Sequence, residues 1–121
     1  MLIEIDVNSE EALYIQLRNQ IIMGIATSTI LEGDSLPSVR QMADMIGINM
    51  HTVNKAYTVL KQEGFIQLGR RGAVIAIDRN QLQELQNVKA QLRVVLAKAS
   101  CKNIGRAQIH ELVDEIYEDY K

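Results

Sequence analysis

The chain contains few of the residues that mark secreted or membrane proteins. Its 121 residues include one cysteine, one proline, no tryptophan and only five aromatic side chains. The single cysteine, Cys101, cannot form an intramolecular disulfide, which is typical of a reducing compartment. No apolar run approaches the length of a membrane span, and the acidic start MLIEIDVNSEE is unlike a signal peptide. We therefore expect a cytoplasmic protein with a mostly aliphatic core and no membrane partner.

Signals of catalysis and metal binding are also missing from the sequence. There is no phosphate-binding loop, no cluster of metal ligands and no nucleophile with a plausible base. His110 and Asp114 are four residues apart, but no third ligand lies near them. Cys101 has only Lys98 and Lys102 as basic neighbours, which favours an inert thiol over a redox sensor. We expect no enzymatic activity, no cofactor and no metal site.

The small net charge conceals an uneven distribution. The whole chain carries −2, yet residues 35–77 contain five basic and two acidic side chains, so this segment is +3 and the remainder is −5. The local field rather than the net charge decides where a polyanion binds. Residues 35–77 are therefore the candidate surface for nucleic acid.

The sequence from 36 to 64 predicts two short helices joined by a tight turn. Ser38 followed by Gln41 forms a capping box for the first helix, and Gly47 is its predicted left-handed stop. Asn49 is the predicted cap of the second helix, which should stop at Gly64. The apolar positions repeat at helical spacing in both, as Val39, Met42, Ala43 and Ile46, and as Val53, Ala56, Tyr57 and Leu60. This arrangement is a helix-turn-helix, whose second helix can enter the major groove.

The outward face of the second helix carries groups that suit DNA. No acidic residue occurs on this helix before Glu63, so nothing there would repel phosphate. Amide, imidazole and hydroxyl groups near its start can meet base edges, lysine can meet phosphate, and methionine can touch a thymine methyl. The predicted contact residues of this helix are Asn49, Met50, His51, Thr52, Asn54 and Lys55. For Thr52 the alternative is a hydroxyl that only assists the cap.

A β-hairpin with a basic tip is predicted to follow. Residues 65–68 and 73–77 have β character and flank the turn Gly69-Arg70-Arg71-Gly72. Such a wing would carry Arg70 and Arg71 to the DNA backbone or the minor groove, unless the arginines only keep the tip solvated. Upstream, Ser35 and Leu36 should form a one-rung strand that pairs with the wing.

A further helix is predicted before this motif. Asn8 or Ser9 would cap it, with Glu10 and Glu11 in its first turn. Its buried line is Leu13, Leu17, Ile21 and Ile25. The apolar lead-in of Leu2, Ile3 and Ile5 would either pair as an edge strand or pack on a neighbour.

Residues 79–121 predict two amphipathic helices, with Asn80 available as a cap. One runs from Gln81 to about Ala99 with a seven-residue apolar repeat, and one follows the break at residues 102–105. Two such helices cannot hide both apolar stripes in isolation, so a second copy is the expected partner. The dimer would present two recognition helices about 34 Å apart to an inverted repeat in double-stranded DNA. The predicted interface residues are Leu85, Val88, Leu92, Val95, Leu96, Leu112, Ile116 and Tyr117.

Three strings, GDSLPSVR at 33–40, INMHTVNKAY at 48–57 and EGFI at 63–66, resemble the GntR family of bacterial winged-helix repressors. The short C-terminal segment is similar to the YtrA-type branch, whose C-terminal helices dimerise. The resemblance implies a transcriptional regulator, expected to be a repressor associated with the nucleoid, and implies DNA contacts by Ser38 and Arg40. For Arg40 the alternative is an ion pair with Asp44. The sequence departs from the family at Ser28, where glycine is usual, and at Met50, where many members have arginine. A small-molecule effector of unknown identity is a possible further partner.

The expected fold is mainly α with a small β-hairpin, an α+β class. A winged helix-turn-helix DNA-binding domain would occupy residues 1–78, and a two-helix dimerisation segment residues 79–121. The expected function is that of a homodimeric, sequence-specific DNA-binding regulator. A winged helix that serves only as a protein-interaction module is the alternative. The basic wing and the acid-free helix face disfavour it, because a protein partner needs no cationic stripe.

Overall fold

The computed structural model describes residues 3–70 and 72–120, which form five helices and a two-stranded antiparallel sheet. In chain order the elements are α1 Leu13–Ala26, α2 Val39–Ile46, α3 Met50–Gln62, β1 Ile66–Gly69, β2 Gly72–Ile75, α4 Gln81–Cys101 and α5 Arg106–Asp119. These elements confirm the predicted fold class. The chain divides into two compact units, Met1–Asp78 and Arg79–Lys121. None of the helices in the described part is both long enough and apolar enough to span a membrane.

One aliphatic core holds the first unit together. α3 lies at its centre and packs against α1, α2 and β1. Seven large side chains are fully buried: Leu17, Ile21, Met42, Val53, Tyr57, Leu60 and Ile75. Burying a side chain of this size contributes about 1.5–3 kcal/mol, so the inner face of α3 is firmly anchored. The outer face of the same helix remains free for other contacts.

α1 begins at Leu13, so the prediction of a cap at Asn8 or Ser9 was wrong. The amide of Asn8 donates to Asp6 Oδ1 at 2.9 Å, and the amide of Glu11 donates to Ser9 Oγ at 3.1 Å. These local turns use the polar groups that would otherwise have started a helix. The glutamates predicted for the first turn therefore lie before the helix.

The N-terminal lead-in packs against the core of its own chain. Ile3 and Ile5 are partly buried on that core, while Leu2 lies outside the described residues. Gln16 of α1 holds the segment by accepting from the amide of Asp6 at 2.9 Å and donating to its carbonyl at 3.0 Å. The side-chain amide of Gln16 thus makes the two backbone hydrogen bonds that a neighbouring strand would otherwise make with Asp6. Residues 3–6 of the lead-in are therefore not a strand and pack on the core of their own chain.

The wing forms as a hairpin with a third, single-rung strand. β1 and β2 pair from Ile66 opposite Ile75 to Gly69 opposite Gly72. The strands differ from the predicted 65–68 and 73–77 by one or two residues at their ends. Ser35 bridges to Val74, and the predicted one-rung strand is therefore confirmed.

Ser28, after the end of α1, adopts a left-handed conformation with φ of 63°. This conformation costs a residue with a Cβ about 1–2 kcal/mol, and glycine avoids the cost. Glycine also adds unfolded-state entropy, which offsets part of the gain. We expect Ser28→Gly to raise the free energy of unfolding by about 0.5–1 kcal/mol in urea denaturation. Thr29→Gly, at a neighbouring position with negative φ, should lower it, and equal effects of the two changes would contradict the strain.

The second unit consists of two exposed helices. Asn80 caps α4, where its Oδ1 accepts from the amide of Gln83 at 3.5 Å. α4 runs two residues beyond its predicted end at Ala99, to Cys101, and the left-handed Asn103, whose φ is 61°, follows its cap. No residue of α4 or α5 is buried within the chain. Their apolar stripes are therefore open to solvent in the single chain.

Candidate nucleic-acid interface

The helix-turn-helix has a well-defined start and turn. Ser38 Oγ accepts from the amide of Gln41 at 3.1 Å, and Gln41 Oε1 accepts from the amide of Ser38 at 3.0 Å. Gly47 ends α2 with φ of 73°, a conformation open to glycine at no steric cost, and its amide donates to the carbonyl of Ala43 at 2.9 Å. The capping box and the left-handed stop are as predicted. Only one residue separates Gly47 from the cap of α3 at Asn49.

A buried tyrosine links the two helices of the motif. The hydroxyl of Tyr57, on the inner face of α3, donates to the carbonyl of Pro37 at 2.8 Å. Tyr57 is 1% exposed, and burial raises the pKa of its hydroxyl above the ordinary value. The group therefore remains a protonated donor at neutral pH. The bond ties the middle of α3 to the residue before the cap of α2, which fixes how α3 is presented.

The predicted contact residues of the motif lie on an accessible surface. Thr52 is half-buried, and the exposed members are Ser38, Arg40, Asn49, Met50, His51, Asn54 and Lys55. Within the described residues Arg40 forms no ion pair with Asp44, the alternative that the sequence left open. The guanidinium of Arg40 is thus available to an anion.

The start of α3 has its cap in Asn49 rather than in Thr52. Asn49 Oδ1 accepts from the amide of His51 at 2.7 Å, while the Nδ2 donor of Asn49 has no partner among the described residues. The hydroxyl of Thr58 donates back to the carbonyl of Asn54 at 2.8 Å. Both bonds orient polar groups toward the helix itself. The side-chain amide of Asn54 and the imidazole of His51 have no such bond among the described residues.

Lys55 is held by an aromatic ring that the sequence did not connect with it. Its ammonium lies 4.1 Å from the ring centroid of Tyr14 on α1. Because 41 positions separate the two residues, no local sequence pattern connects them. A cation–π contact at an exposed site is worth about 0.5–1 kcal/mol and limits where the ammonium can lie.

We expect Tyr14→Leu to lower DNA affinity about threefold to fivefold, since the ammonium of Lys55 then loses its support. Tyr14→Phe retains the ring and should bind as the unmodified protein does. Fluorescence anisotropy of both variants at one salt concentration makes the comparison. Equal losses in the two variants would assign the effect to the hydroxyl of Tyr14 instead.

The tip of the wing supplies a further cation. Arg70 is exposed and has no ion pair within the described part of the chain. Arg71, the second predicted contact of the wing, lies outside the described residues. The hairpin and the outer face of α3 belong to the same compact unit, so both are positioned by one core.

A three-helix core, a capped helix-turn-helix with an exposed second helix, and a hairpin with a basic tip together define a winged-helix DNA-binding protein. A family model described as bacterial regulatory proteins, gntR family, matches residues 11–75. The chain belongs to this family, in its YtrA-type branch.

Similarity to individual proteins extends over nearly the whole chain. The HTH-type transcriptional repressor YtrA of Bacillus subtilis is 34% identical, over 99% of this chain and 95% of that protein. The structure of YtrA from Sulfolobus acidocaldarius, a GntR-family transcription factor, is 39% identical and covers 84% of this chain and 99% of its own, with a TM-score of 0.70. A transcriptional antiterminator from Listeria monocytogenes superposes with a TM-score of 0.89, at 26% identity, over 99% of this chain and 92% of its own.

Solved neighbours of the chain include complexes with DNA. The DNA-binding domain of AraR in complex with operator ORE1 is 26% identical and covers 62% of this chain and 95% of its own, with a TM-score of 0.50. AraR thus binds operator DNA through a domain similar to part of this chain. The chain is a DNA-binding transcription regulator and not an enzyme.

Proposed function

We propose that the chain is a homodimeric repressor that recognises an inverted-repeat operator in double-stranded DNA. The outer face of α3 is the observation that carries this proposal. It is exposed, capped at its start and free of carboxylates from Met50 to Gln62. A helix with these properties can lie against phosphates without repulsion and can place polar groups on base edges.

Cations of three elements anchor the phosphate backbone in this proposal. Arg40 extends from α2, Lys55 from α3 and Arg70 from the wing, and all three are exposed. Arg71 is proposed as a second anchor in the wing. Anchoring fixes register and orientation but carries no sequence information. Sequence is then read from the start of α3 by Asn49, Met50, His51, Thr52 and Asn54, while the hydroxyl of Ser38 is used in its own cap.

Dimerisation through α4 and α5 is supported by their exposed apolar side chains. Within residues 79–120, thirteen large apolar side chains are between 37% and 74% exposed. Monomeric proteins rarely expose apolar surface on this scale, which marks an interaction surface. The eight predicted interface residues are all among the thirteen. A second copy supplies a matching surface, because a two-fold interface uses the same patch on both chains.

The repressor role rests on similarity. The relative from Bacillus subtilis is named a transcriptional repressor and aligns over nearly the full length of both chains. A dimer on an inverted repeat covers at least one turn of the duplex, about 34 Å. Occupation of that length within a promoter would exclude polymerase.

The test is a DNA titration of the full chain against duplexes selected from a random pool, at two salt concentrations. A regulator should show a sequence preference and a steep fall in affinity with salt, since each neutralised phosphate adds about 0.9 to the slope. Arg40→Ala should weaken binding by at least about 1 kcal/mol on every duplex and reduce the slope by about one. Arg93→Ala removes the same charge from α4 and serves as the control. Identical losses in the two variants would remove Arg40 from the interface.

A further inference from the structure

Two side chains at the start of α3 are placed side by side on its outer face. Met50 and Asn54 are one helical turn apart, so their Cβ atoms lie about 5–6 Å from each other. Met50 is 42% exposed, and Asn54 is exposed as well. The side-chain amide of Asn54 is free of hydrogen bonds within the described residues, so both its oxygen and its nitrogen remain available. The pair spans roughly two base steps of about 3.4 Å each.

The groups around this pair are poor readers of guanine. Arginine and lysine are the side chains that bond guanine through both O6 and N7. α3 has no arginine, and the ammonium of Lys55 is held over the ring of Tyr14. The oxygen of Asn49 is engaged in the cap of the helix, and its amide nitrogen is the group without a bond among the described residues. A lone donor from Asn49 or His51 reaches N7, which adenine and guanine share.

We propose that Met50 and Asn54 together read A·T pairs in the operator half-site. Asn54 accepts from adenine N6 through Oδ1 and donates to adenine N7 through Nδ2. Met50 packs on the C5 methyl of the thymine in the same pair or the next. The major groove presents the N6 donor beside N7, and the thymine methyl, only at A·T pairs, so guanine and cytosine are rejected at this step. The assignment depends on the proposed function, because it requires α3 to lie in the major groove.

The test removes single atoms from the DNA. A duplex selected by the full chain is resynthesised with 7-deazaadenine, which lacks N7, at each half-site adenine in turn, and with uracil, which lacks the methyl, at each thymine. One adenine replacement should weaken binding by the unmodified protein about tenfold. One uracil replacement should weaken it about threefold to fourfold, the value of one buried methyl group.

A variant that lacks one of the two side chains should not respond to the DNA replacement that removes the group read by that side chain. Asn54→Ala should bind more weakly than the unmodified protein but lose nothing further from the 7-deazaadenine. Met50→Ala should be equally indifferent to the uracil, and Met50→Arg should shift selection toward guanine at that step. Lys61→Ala, later on the same helix, should weaken binding to all these duplexes by the same factor, whichever base has been replaced.

Two other outcomes are distinguishable. If Asn54→Ala and Met50→Ala remain as sensitive to the analogues as the unmodified protein, or if selection fixes guanine at a step that depends on Asn54, this assignment is overturned while sequence-specific binding stands. If selection from random DNA returns no preferred sequence at all, the proposed function itself fails.

Discussion

Leu92→Asp is expected to convert the dimer to monomers and to lower affinity for an intact inverted repeat by at least about 100-fold. Leu92 lies at the middle of the predicted seam on α4 and is 46% exposed in the single chain. Each chain would have to bury a carboxylate without a partner in the interface, which costs far more than the lost apolar contact. A monomer also loses the gain from linking two half-sites, which is typically 10²–10⁴-fold.

Sedimentation equilibrium gives the oligomeric state, and anisotropy gives the DNA affinity. Ala97→Asp introduces the same charge on the same helix, at a position of the seven-residue repeat opposite Leu92 and away from the seam. This control should remain dimeric with unchanged affinity. Circular dichroism should show a similar helix content in both proteins, because the core of residues 1–78 contains neither position. A dimeric Leu92→Asp protein would remove Leu92 from the interface.

The second large effect is expected at Asn49, where one substitution should lower DNA affinity without lowering the free energy of unfolding. Aspartate caps a helix as well as asparagine and is favoured by the helix dipole, so Asn49→Asp should leave the free energy of unfolding unchanged or slightly raised. It removes the Nδ2 donor and places a carboxylate beside the phosphates. We expect DNA affinity to fall by about tenfold to 100-fold.

Asn49→Ala should behave differently. It loses the bond to the amide of His51, which lies at 2.7 Å, and should cost about 1 kcal/mol of stability. Its loss of DNA affinity should be smaller than that of Asn49→Asp, because no negative charge is added. Urea denaturation and anisotropy on the two variants give four values. Wild-type affinity in Asn49→Asp would show that the start of α3 does not face the phosphates.

Features that depend on neighbouring residues could be predicted from the sequence. The capping box of Ser38 and Gln41 and the stop at Gly47 each use groups within five positions. For this reason α2 and α3 were predicted with their caps. The start of α1 was wrong, because the bonds of Asp6 and Ser9 compete with helix formation in a way that residue preference does not reveal.

Features that depend on distant residues could not be predicted. The support of Lys55 by Tyr14 joins α3 to α1 and follows from how the helices pack. The same holds for the bond from Tyr57 to the carbonyl of Pro37, 20 positions away. The spacing of residues along a helix indicates which face each side chain lies on. It does not identify the residue of another element that the side chain contacts, because that depends on the tertiary fold. These two contacts help to determine the orientation of α3 and of its outer face within the first unit.

Measuring the binding of the full chain to an inverted repeat, and to the same duplex with one half-site scrambled, tests the central claim most directly. If two chains present two recognition helices to one operator, the intact duplex should bind two chains in a single cooperative step. Scrambling one half-site should then lower the affinity by at least about 100-fold. One chain bound per intact duplex, with equal affinity for both duplexes, would contradict the account.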